Sequence, residues 1–419
     1  MRFNKLFYSK KEIFLFLFLV LFIYALNLAY QYHKFEEFKE TKFIEATVEH
    51  SYLKTKNERT YRVLKLKTSH FSFYTTTKKE SVIARYDRLS LGIRTDKVSF
   101  KDYIKKSFYM PSFKIKKLEK KPKFKDKIIN FIENQHDNPK IKELYATLYL
   151  ATPISKELRN DVTKWGIAHV VSISGFHLSI IFATFFLLIT PIYRFFQSRF
   201  FPYRSSYFDI SVVAFLAMIG YLFLLDFAPS FLRSLLMGLL GFLFLSKNLR
   251  ILSFWTLFLT IILSVAIFPN LVFSIGFYFS CLGVFYIYLY MHHFKFEFGS
   301  RASNFALNVV VFNIYVYFAM NIPVYHFFDT LAFSQIAVIP IGYIFTIFYP
   351  VSAFLHLIGQ GGLMDEWLLA FLNYEVTTYK TTIPPMLFYT MNSLLIPAIK
   401  FRSIAILLAL MGVLPLFFI

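Results

Sequence analysis

Charge is scarce in this chain, and negative charge is scarcest. Only 17% of its 419 residues are charged, with 25 Asp and Glu against 46 Lys and Arg. Soluble domains carry about 25%. That shortage, with 56% hydrophobic residues and a mean hydropathy of +0.50, excludes a soluble globular protein. Cysteine is nearly absent too. Cys281 stands alone, so neither an intramolecular disulfide nor a thiolate zinc site can form. No G-x-x-x-x-G-K-[ST] loop occurs, and Gly359-Gln360-Gly361-Gly362 lacks the phosphate-loop lysine. The chain therefore has no recognisable ATP motor, and no cofactor is expected.

What is present is a series of apolar runs and one basic insert. Residues 1–30 read as a cytoplasmic N-terminus and a first membrane helix. Ile13 to Tyr30 is almost wholly apolar, and Arg2, Lys5, Lys10 and Lys11 precede it. A cleavable signal peptide is the rival reading, with a poor cleavage region at Ala25 to Ala29.

Residues 42–117 change character. Ile44, Ala46 and Val48 alternate with Glu45, Thr47 and Glu49, and Tyr61–Thr68, Phe71–Thr77 and Leu89–Phe100 are rich in strand formers. About five strands in this length fit a small β domain, and an OB-like barrel is one such shape. From Lys34 to Lys127 there are 26 Lys and Arg against 12 Asp and Glu. Such a surface suits a polyanion or anionic lipid, or it simply solubilises the domain. Residues 120–165 read as an amphipathic helical connector lying at the membrane surface, with Ile128, Ile129, Phe131 and Ile132 as its apolar cluster.

Residues 166–419 hold the remaining apolar segments. They fall near Ala168–Phe196, Phe208–Leu225, Ser230–Ser246, Ile251–Phe268, Leu271–Met291, Phe305–Ile322, Leu331–Leu357, Met386–Ile399 and Ser403–Phe418. The fold class is thus an α-helical polytopic membrane protein with a small β-rich, OB-like extramembrane domain. Arg194, Arg199 and Arg204, then Lys247 and Arg250, then Lys295 and Arg301 occupy alternate short loops, while those around Asp226, Asn270 and Asp329 lack cations. This is the positive-inside pattern. Lys400 and Arg402 break it.

Trp165-Gly166-Ile167-Ala168-His169-Val170-Val171-Ser172-Ile173-Ser174-Gly175-Phe176-His177-Leu178 is the segment that carries most information. Imidazoles and hydroxyls beside hydrocarbon cost free energy unless they face protein, water or a ligand. The segment resembles the signature of the ComEC competence family, G-x-A-H-[LV]-x-[AS]-I-S-G-x-H-[LV]. Ala228-Pro229-Ser230-Phe231-Leu232-Arg233-Ser234-Leu235-Leu236-Met237 is similar to its P-S-x-x-R-[AS]-x-x-M helix start. Ser274 to Gly283 resembles its S-x-G-F-x-[LF]-S block, and Ser334 to Pro340 follows its S-x-x-[AN]-x-[LV]-x-I-P block loosely, with Ala337 where Asn is common. The resemblance runs from about Leu144 to Pro350, with a vaguer match in the β domain.

That resemblance implies an inner-membrane channel carrying single-stranded DNA into the cytoplasm during natural transformation. It also implies a periplasmic DNA-binding receptor and a cytosolic ATP-driven translocase as partners, besides membrane lipid. Many family members end in a metallo-β-lactamase-like domain with a His-x-His-x-Asp-His cluster. None of the ten histidines here forms one, so no nuclease site is expected. The expected protein is a channel and not an enzyme.

The candidate conduit or DNA-contact residues are His169, Ser174, Gly175, His177, Arg233, Ser280, Ser334 and Gln335. On a continuous helix His169 and His177 lie about 80° apart, while Ser174 and His177 share a face. Ser174 with His177 could be a nucleophile and its base, which leaves an intramembrane hydrolase or transferase as an alternative, with no acidic orienter in the motif. The same pair could brace a broken helix or line a polar conduit. A small-solute transporter is a further alternative, though no inverted repeat is evident. Arg233 could grip phosphate, or pair with Asp226 two turns earlier. Asn304, Asn308, Asn313 and Asn321 read as interhelical hydrogen-bond donors, and most of the 55 Phe and 28 Tyr as lipid-facing or core residues.

Overall fold

The computed structural model describes residues 9–56, 59–68, 70–79, 81, 83–84, 87–119, 124–247, 253–294 and 300–417. Arg2, Lys5, Arg250, Lys295 and Phe418, singled out above, lie outside them. The chain forms two compact units. One holds Lys5–Phe124 and Leu259–Phe277, and the other holds Lys125–Phe258 and Tyr278–Ile419.

The first unit begins with helix α1 (Lys10–Glu40), whose start is capped by the Ser9 hydroxyl accepting from the Glu12 N–H. At 1.5 Å per residue its 31 residues are about 46 Å long, well beyond the ~30 Å of hydrocarbon. The helix thus continues ten residues past Tyr30, the expected end of the span. The extra turns carry Phe35 and Phe38, both buried in the core of the β domain. Strands β1 (Phe43–Lys56), β2 (Arg59–Lys67), β3 (Ser72–Thr77) and β4 (Arg88–Ile93) precede the short helix α2 (Phe100–Lys105). Strands β5 (Ser107–Tyr109) and β6 (Ser112–Leu118) follow. The expected strand from Leu89 to Phe100 stops at Ile93, because the Ser99 side chain caps α2.

The sheet order is β5-β3-β2-β1-β4-β6. Only Met110 and Pro111 separate β5, parallel to β3 at one edge, from β6, antiparallel to β4 at the other. One bent strand thus joins both edges and closes the sheet into a barrel, with Thr75 Oγ1 2.6 Å from Ser112 Oγ across the closure. The predicted alternation holds in β1, where Ala46 and Val48 are buried. The same unit contains the turn between two later helices. There the Asn27 side chain of α1 donates to the carbonyl of Ala266 at 3.1 Å.

The second unit is helical. Its elements are α3 (Phe124–Glu133), α4 (Pro139–Leu150), α5 (Lys156–Lys164), α6 (Ala168–Val171), α7 (Gly175–Phe200), α8 (Ser206–Leu224), α9 (Pro229–Ser246), the first residues of α10 (Phe254–Ile267), most of α11 (Ile275–His293) and α12 (Arg301–Phe327). After them come β7 (Thr330–Leu331), α13 (Val338–Leu357), α14 (Asp365–Asn373), β8 (Tyr379–Lys380), α15 (Pro385–Lys400) and α16 (Arg402–Met411). Six helices are long and apolar enough to cross a membrane: α1, α7, α8, α11, α12 and the one ending at Leu357. The segments expected at Ser230–Ser246, Ile251–Phe268, Met386–Ile399 and Ser403–Phe418 form helices of 18, 14, 16 and 10 residues. At 1.5 Å per residue these run from about 27 Å down to about 15 Å, short of a straight crossing. The connector also differs from expectation. Ile141, Leu144, Tyr145, Leu148 and Leu150 of α4 are buried, so α4 is core and not a surface float.

The basic loops share one end of this unit. Phe208, just after Arg204, stacks near Phe242 at 5.5 Å, close to Lys247. Phe254, after that loop, meets His292 at 6.0 Å. The Arg402 guanidinium lies 5.3 Å from the ring of Phe294, and His293 Nε2 donates to the carbonyl of Ala398 at 2.8 Å. Lys400 and Arg402 thus rejoin the other cations, and the apparent break in the charge pattern disappears.

The reason is α13. Strands β7 and β8 pair Thr330 with Lys380 and Leu331 with Tyr379, so the chain leaves and returns at one place. Along the way Tyr349 meets His177 in the first turn of α7, Tyr149 Oη donates to Ser352 Oγ, and His356 meets His136. All these partners belong to the end opposite the basic loops. The run Leu331–Leu357 keeps the length and hydropathy of the expected span, and with α14 it forms an excursion that starts and ends at one end of the unit. Two of the four asparagines of α12 donate between helices as expected, while Asn308 donates to the Asn304 carbonyl of its own helix. Asn313 donates to Tyr343 Oη at 2.8 Å, and Asn321 donates to the carbonyl of Gly412 at 3.0 Å.

Candidate functional site

The histidine-serine segment forms a broken helix, and the sequence explains each break. Gly166 has φ +69, and a Cβ there would lie 3.0 Å from the Gln335 carbonyl oxygen. Glycine is needed on both counts. After the single turn of α6, Ser172 and Ser174 are extended, and α7 starts at Gly175. Ser174 and His177 make a capping box. The Ser174 hydroxyl accepts from the Phe176 N–H at 3.3 Å, and His177 Nδ1 accepts from the Ser174 N–H at 3.3 Å. Histidine here takes the place usually held by Glu or Gln.

Helix α9 comes close to this start. A Cβ on Gly175 would sit 3.1 Å from Ser234 Oγ, and Ser230 Oγ donates to the carbonyl of Ile173 at 2.5 Å. His177 is fully buried, edge-on to Phe345 at 5.2 Å and to Tyr349 at 5.0 Å. With Nδ1 accepting, its Nε2 carries the proton, and that N–H has no partner among the described residues. His169 is exposed to water-sized space yet stands within electrostatic range of the buried His177. Ser172 is exposed beside it. One side of the segment is therefore exposed and the other buried.

The nucleophile-and-base arrangement fits this geometry poorly. Ser174 Oγ is 3.4 Å from Nδ1, which the backbone N–H already occupies. Among the described residues no carboxylate reaches either ring nitrogen. Asp161 is engaged elsewhere, with Lys140 and Lys164 each at 2.9 Å. Burial alone would raise its carboxyl pKa; the two ammonium groups outweigh that and hold it below the ordinary value.

Arg233 is 5% exposed, one turn into α9. Its Nε is buried without a hydrogen bond, and no ion pair reaches its guanidinium among the described residues. The expected partner, Asp226, binds Lys125 at 3.0 Å. It sits in a turn where Asp226 and Phe227 both have positive φ, near +51 and +56. The group nearest Arg233 electrostatically is the Cys281 thiol of α11, and Ser280 lies half-buried next to that cysteine.

The candidates thus separate. His169, Ser174, Gly175 and His177 are together, and α9, which carries Arg233, packs on them through Ser230 and Ser234. Ser334 and Gln335 serve as braces. Ser334 Oγ donates to the carbonyl of Lys164 at 2.5 Å. The Gln335 amide donates to Thr163 and Thr330 carbonyls at 3.0 Å each and accepts from Tyr325 Oη at 2.6 Å, so its polar capacity is spent on holding the α5–α6 turn. Phe345 and Tyr349, which cover His177, were not legible beforehand. They read as two aromatics among 83 Phe and Tyr.

A family model described as Competence protein matches residues 151–419, more than half of the chain, and it takes in the broken helix, α9 and α11. No curated protein and no solved structure matches.

Proposed function

The chain belongs to the Competence protein family, and we propose that it is the inner-membrane channel through which single-stranded DNA reaches the cytoplasm in natural transformation. One observation carries the reading furthest: a buried guanidinium with no hydrogen-bond or ion-pair partner among the described residues, on a helix packed against a broken helix with one exposed side. Such a cation has its charge unmatched among the described residues, and a passing phosphodiester would match it bidentately. Ser174 and His177 then shape the broken helix, and no covalent chemistry is assigned to them. The protein acts as a transport protein without a cofactor.

Inward movement of a polyanion opposes a negative-inside potential by ~2.3 kcal/mol per charge per 100 mV. With no motor motif in the chain, a cytosolic ATP-driven translocase supplies the pull, and a periplasmic DNA-binding receptor supplies the strand. The decisive experiment follows labelled DNA in a deletion strain, sampling periplasm and cytosol separately. DNA reaching the cytosol at the normal rate would refute the channel.

In this reading the N-terminus and the basic loops are cytoplasmic. Reporters fused after Arg204 and after Arg402 should report cytoplasm, and one inserted near Lys56 should report periplasm. A periplasmic signal after Arg204 would overturn the whole orientation.

The barrel completes the proposal. Its meander β1–β3, with β4 beside β1 and the last strand set between β3 and β4, is OB-like, a shape used for single strands. It should bind single-stranded DNA weakly, without sequence preference, and with affinity that falls steeply as salt rises. The fragment to purify is Gln31 to Glu119, because one beginning at Lys42 would lack the core residues Phe35 and Phe38. Absence of binding at low salt would leave the basic surface a solubilising or lipid-facing one.

A further inference from the structure

A second polar cluster lies apart from the histidine-serine segment. His136 follows α3, His356 lies on the last turn of α13, and Asp365 opens α14. Nothing in sequence spacing links them, since 220 residues separate the two histidines. His136 Nδ1 is 2.9 Å from both Asp365 carboxylate oxygens. His136 Nε2 is 3.0 Å from His356 Nε2. His356 Nδ1 is 2.6 Å from the Ser352 carbonyl oxygen. Both rings are buried, at 3% and 4% exposure.

Counting hydrogens settles the charge. The carbonyl of Ser352 can only accept, so His356 Nδ1 carries a hydrogen. A nitrogen equidistant from two carboxylate oxygens is a donor, so His136 Nδ1 carries one too. The contact between the two Nε2 atoms needs exactly one more. Two neutral imidazoles supply only two hydrogens, and this chain of bonds uses three. The pair therefore holds one proton beyond neutrality, balanced by the Asp365 carboxylate. Remove that proton and two lone pairs face each other at 3.0 Å. Add another at the rings and two N–H groups collide.

The structure assigns to Asp365, His136 and His356 a one-proton binding site that latches the α3–α4 turn to the α13–α14 excursion. This assignment is independent of the channel reading. The latch also includes Gln135, which donates to the His356 carbonyl at 3.1 Å and accepts from the Gly361 N–H at 2.9 Å. A Cβ on Gly361 would lie 2.8 Å from the His356 ring, so the turn after α13 is pressed onto the pair.

The surrounding groups leave the proton count to these three residues. Tyr145 of α4 stacks on His136 at 4.6 Å and Tyr149 meets His356 at 5.2 Å. Burial raises both phenols, so they stay neutral. Tyr349 of α13 packs on Tyr149 at 5.7 Å. Lys140 of α4 is committed to Glu157 and Asp161. Lys125, Asp126, Lys127 and Glu133 of α3, Asp137 of the turn, Lys142 and Glu143 of α4 and Glu366 of α14 are the other charged side chains there, and among the described residues no lysine or arginine pairs with Asp365.

The linkage has two limbs. As pH rises, loss of the shared proton leaves two lone pairs facing each other across the 3.0 Å contact, so the latch loses its inter-ring bond. As pH falls, the open state takes up protons that the latched state cannot accommodate, and stability falls again. The site is closed only between those limits.

The test uses the full chain in lipid nanodiscs. Hydrogen exchange of residues 130–140 and 352–368 is followed from about pH 4 to about pH 9, across the titration range of Asp and His, and corrected for intrinsic rates. The opening constant should pass through a minimum and rise about tenfold per pH unit beyond each edge, the slope of one proton. Asp365→Asn should move the alkaline edge to lower pH, because the imidazolium loses its counter-charge. His356→Gln, whose amide can donate or accept, should flatten the profile. A flat wild-type profile would overturn the assignment, as would a His356→Gln profile that superimposes on the wild type. If a variant fails to reach the membrane, the wild-type slopes alone decide.

Discussion

Arg233→Ala should leave the protein in the membrane and DNA stranded in the periplasm. The guanidinium is 5% exposed and without an ion-pair partner among the described residues, so its removal breaks no internal pair. What is lost is a desolvated cation positioned for a phosphate. Truncating one member of such a pair costs about 2–5 kcal/mol, or roughly 30- to several thousand-fold. Transformation should therefore fall by about two orders of magnitude or more. Arg233→Lys should be partly active, because a point charge replaces a bidentate fork. Exchanging charge between positions 226 and 233 should not restore function, since Asp226 is held by Lys125. Normal transformation by the alanine variant at normal abundance would end the phosphate reading.

Gly412→Ala should disable the molecule by a different route. A Cβ at Gly412 would stand 1.7 Å from the Phe318 carbonyl oxygen, and that atom belongs to backbone that cannot rotate away. Relief requires α16 to move off α12. That would also break the 3.0 Å bond from Asn321 to the Gly412 carbonyl and the 3.1 Å bond from Tyr315 to Ala405. Ordinary overpacking costs about 1–3 kcal/mol, and a backbone collision belongs at or above the top of that range. Membrane abundance and protease resistance should both drop, independently of any DNA assay. A variant with unchanged abundance and resistance would show that α16 is free to shift.

The membrane class, the β insert and the broken helix were legible because each leaves a local mark. Hydropathy marks the apolar runs. Alternation marks β1, where Ala46 and Val48 point inward. The glycine, serine and histidine positions mark the helix break, since Gly166 and the Ser174–His177 cap work through neighbours within a few residues. Barrel closure by β5 and β6 was not legible, because it depends on pairing with β3 and β4 at once. Nor was the excursion of α13. Its length and hydropathy match a crossing, and only the pairing of Thr330 with Lys380 shows that the chain comes back. Arg233 was found through its place in an apolar helix, but its lack of a carboxylate needed coordinates. Ser334 and Gln335 look equally polar in sequence, and their hydrogen bonds to Thr163, Lys164 and Thr330 make them braces. The proton site unites residues from two distant segments, His136 on one side and His356 with Asp365 on the other, so no window of sequence contains it.

The excursion also poses a problem for the chain during its synthesis. A translocon reads hydropathy segment by segment, as each emerges from the ribosome. To that machinery the run ending at Leu357 is a stop-transfer sequence like any other. Accepting it as a simple crossing would set α15 and α16 against the sense fixed by the pairing of Thr330 with Lys380. The groups that hold α13 at its own end are already made by then: α4, His136 and the first turn of α7 all precede it in the chain. Correct insertion is thus a contest between lipid and a prefabricated protein surface for the same helix. Growth of the chain favours the surface, because its parts are synthesised first.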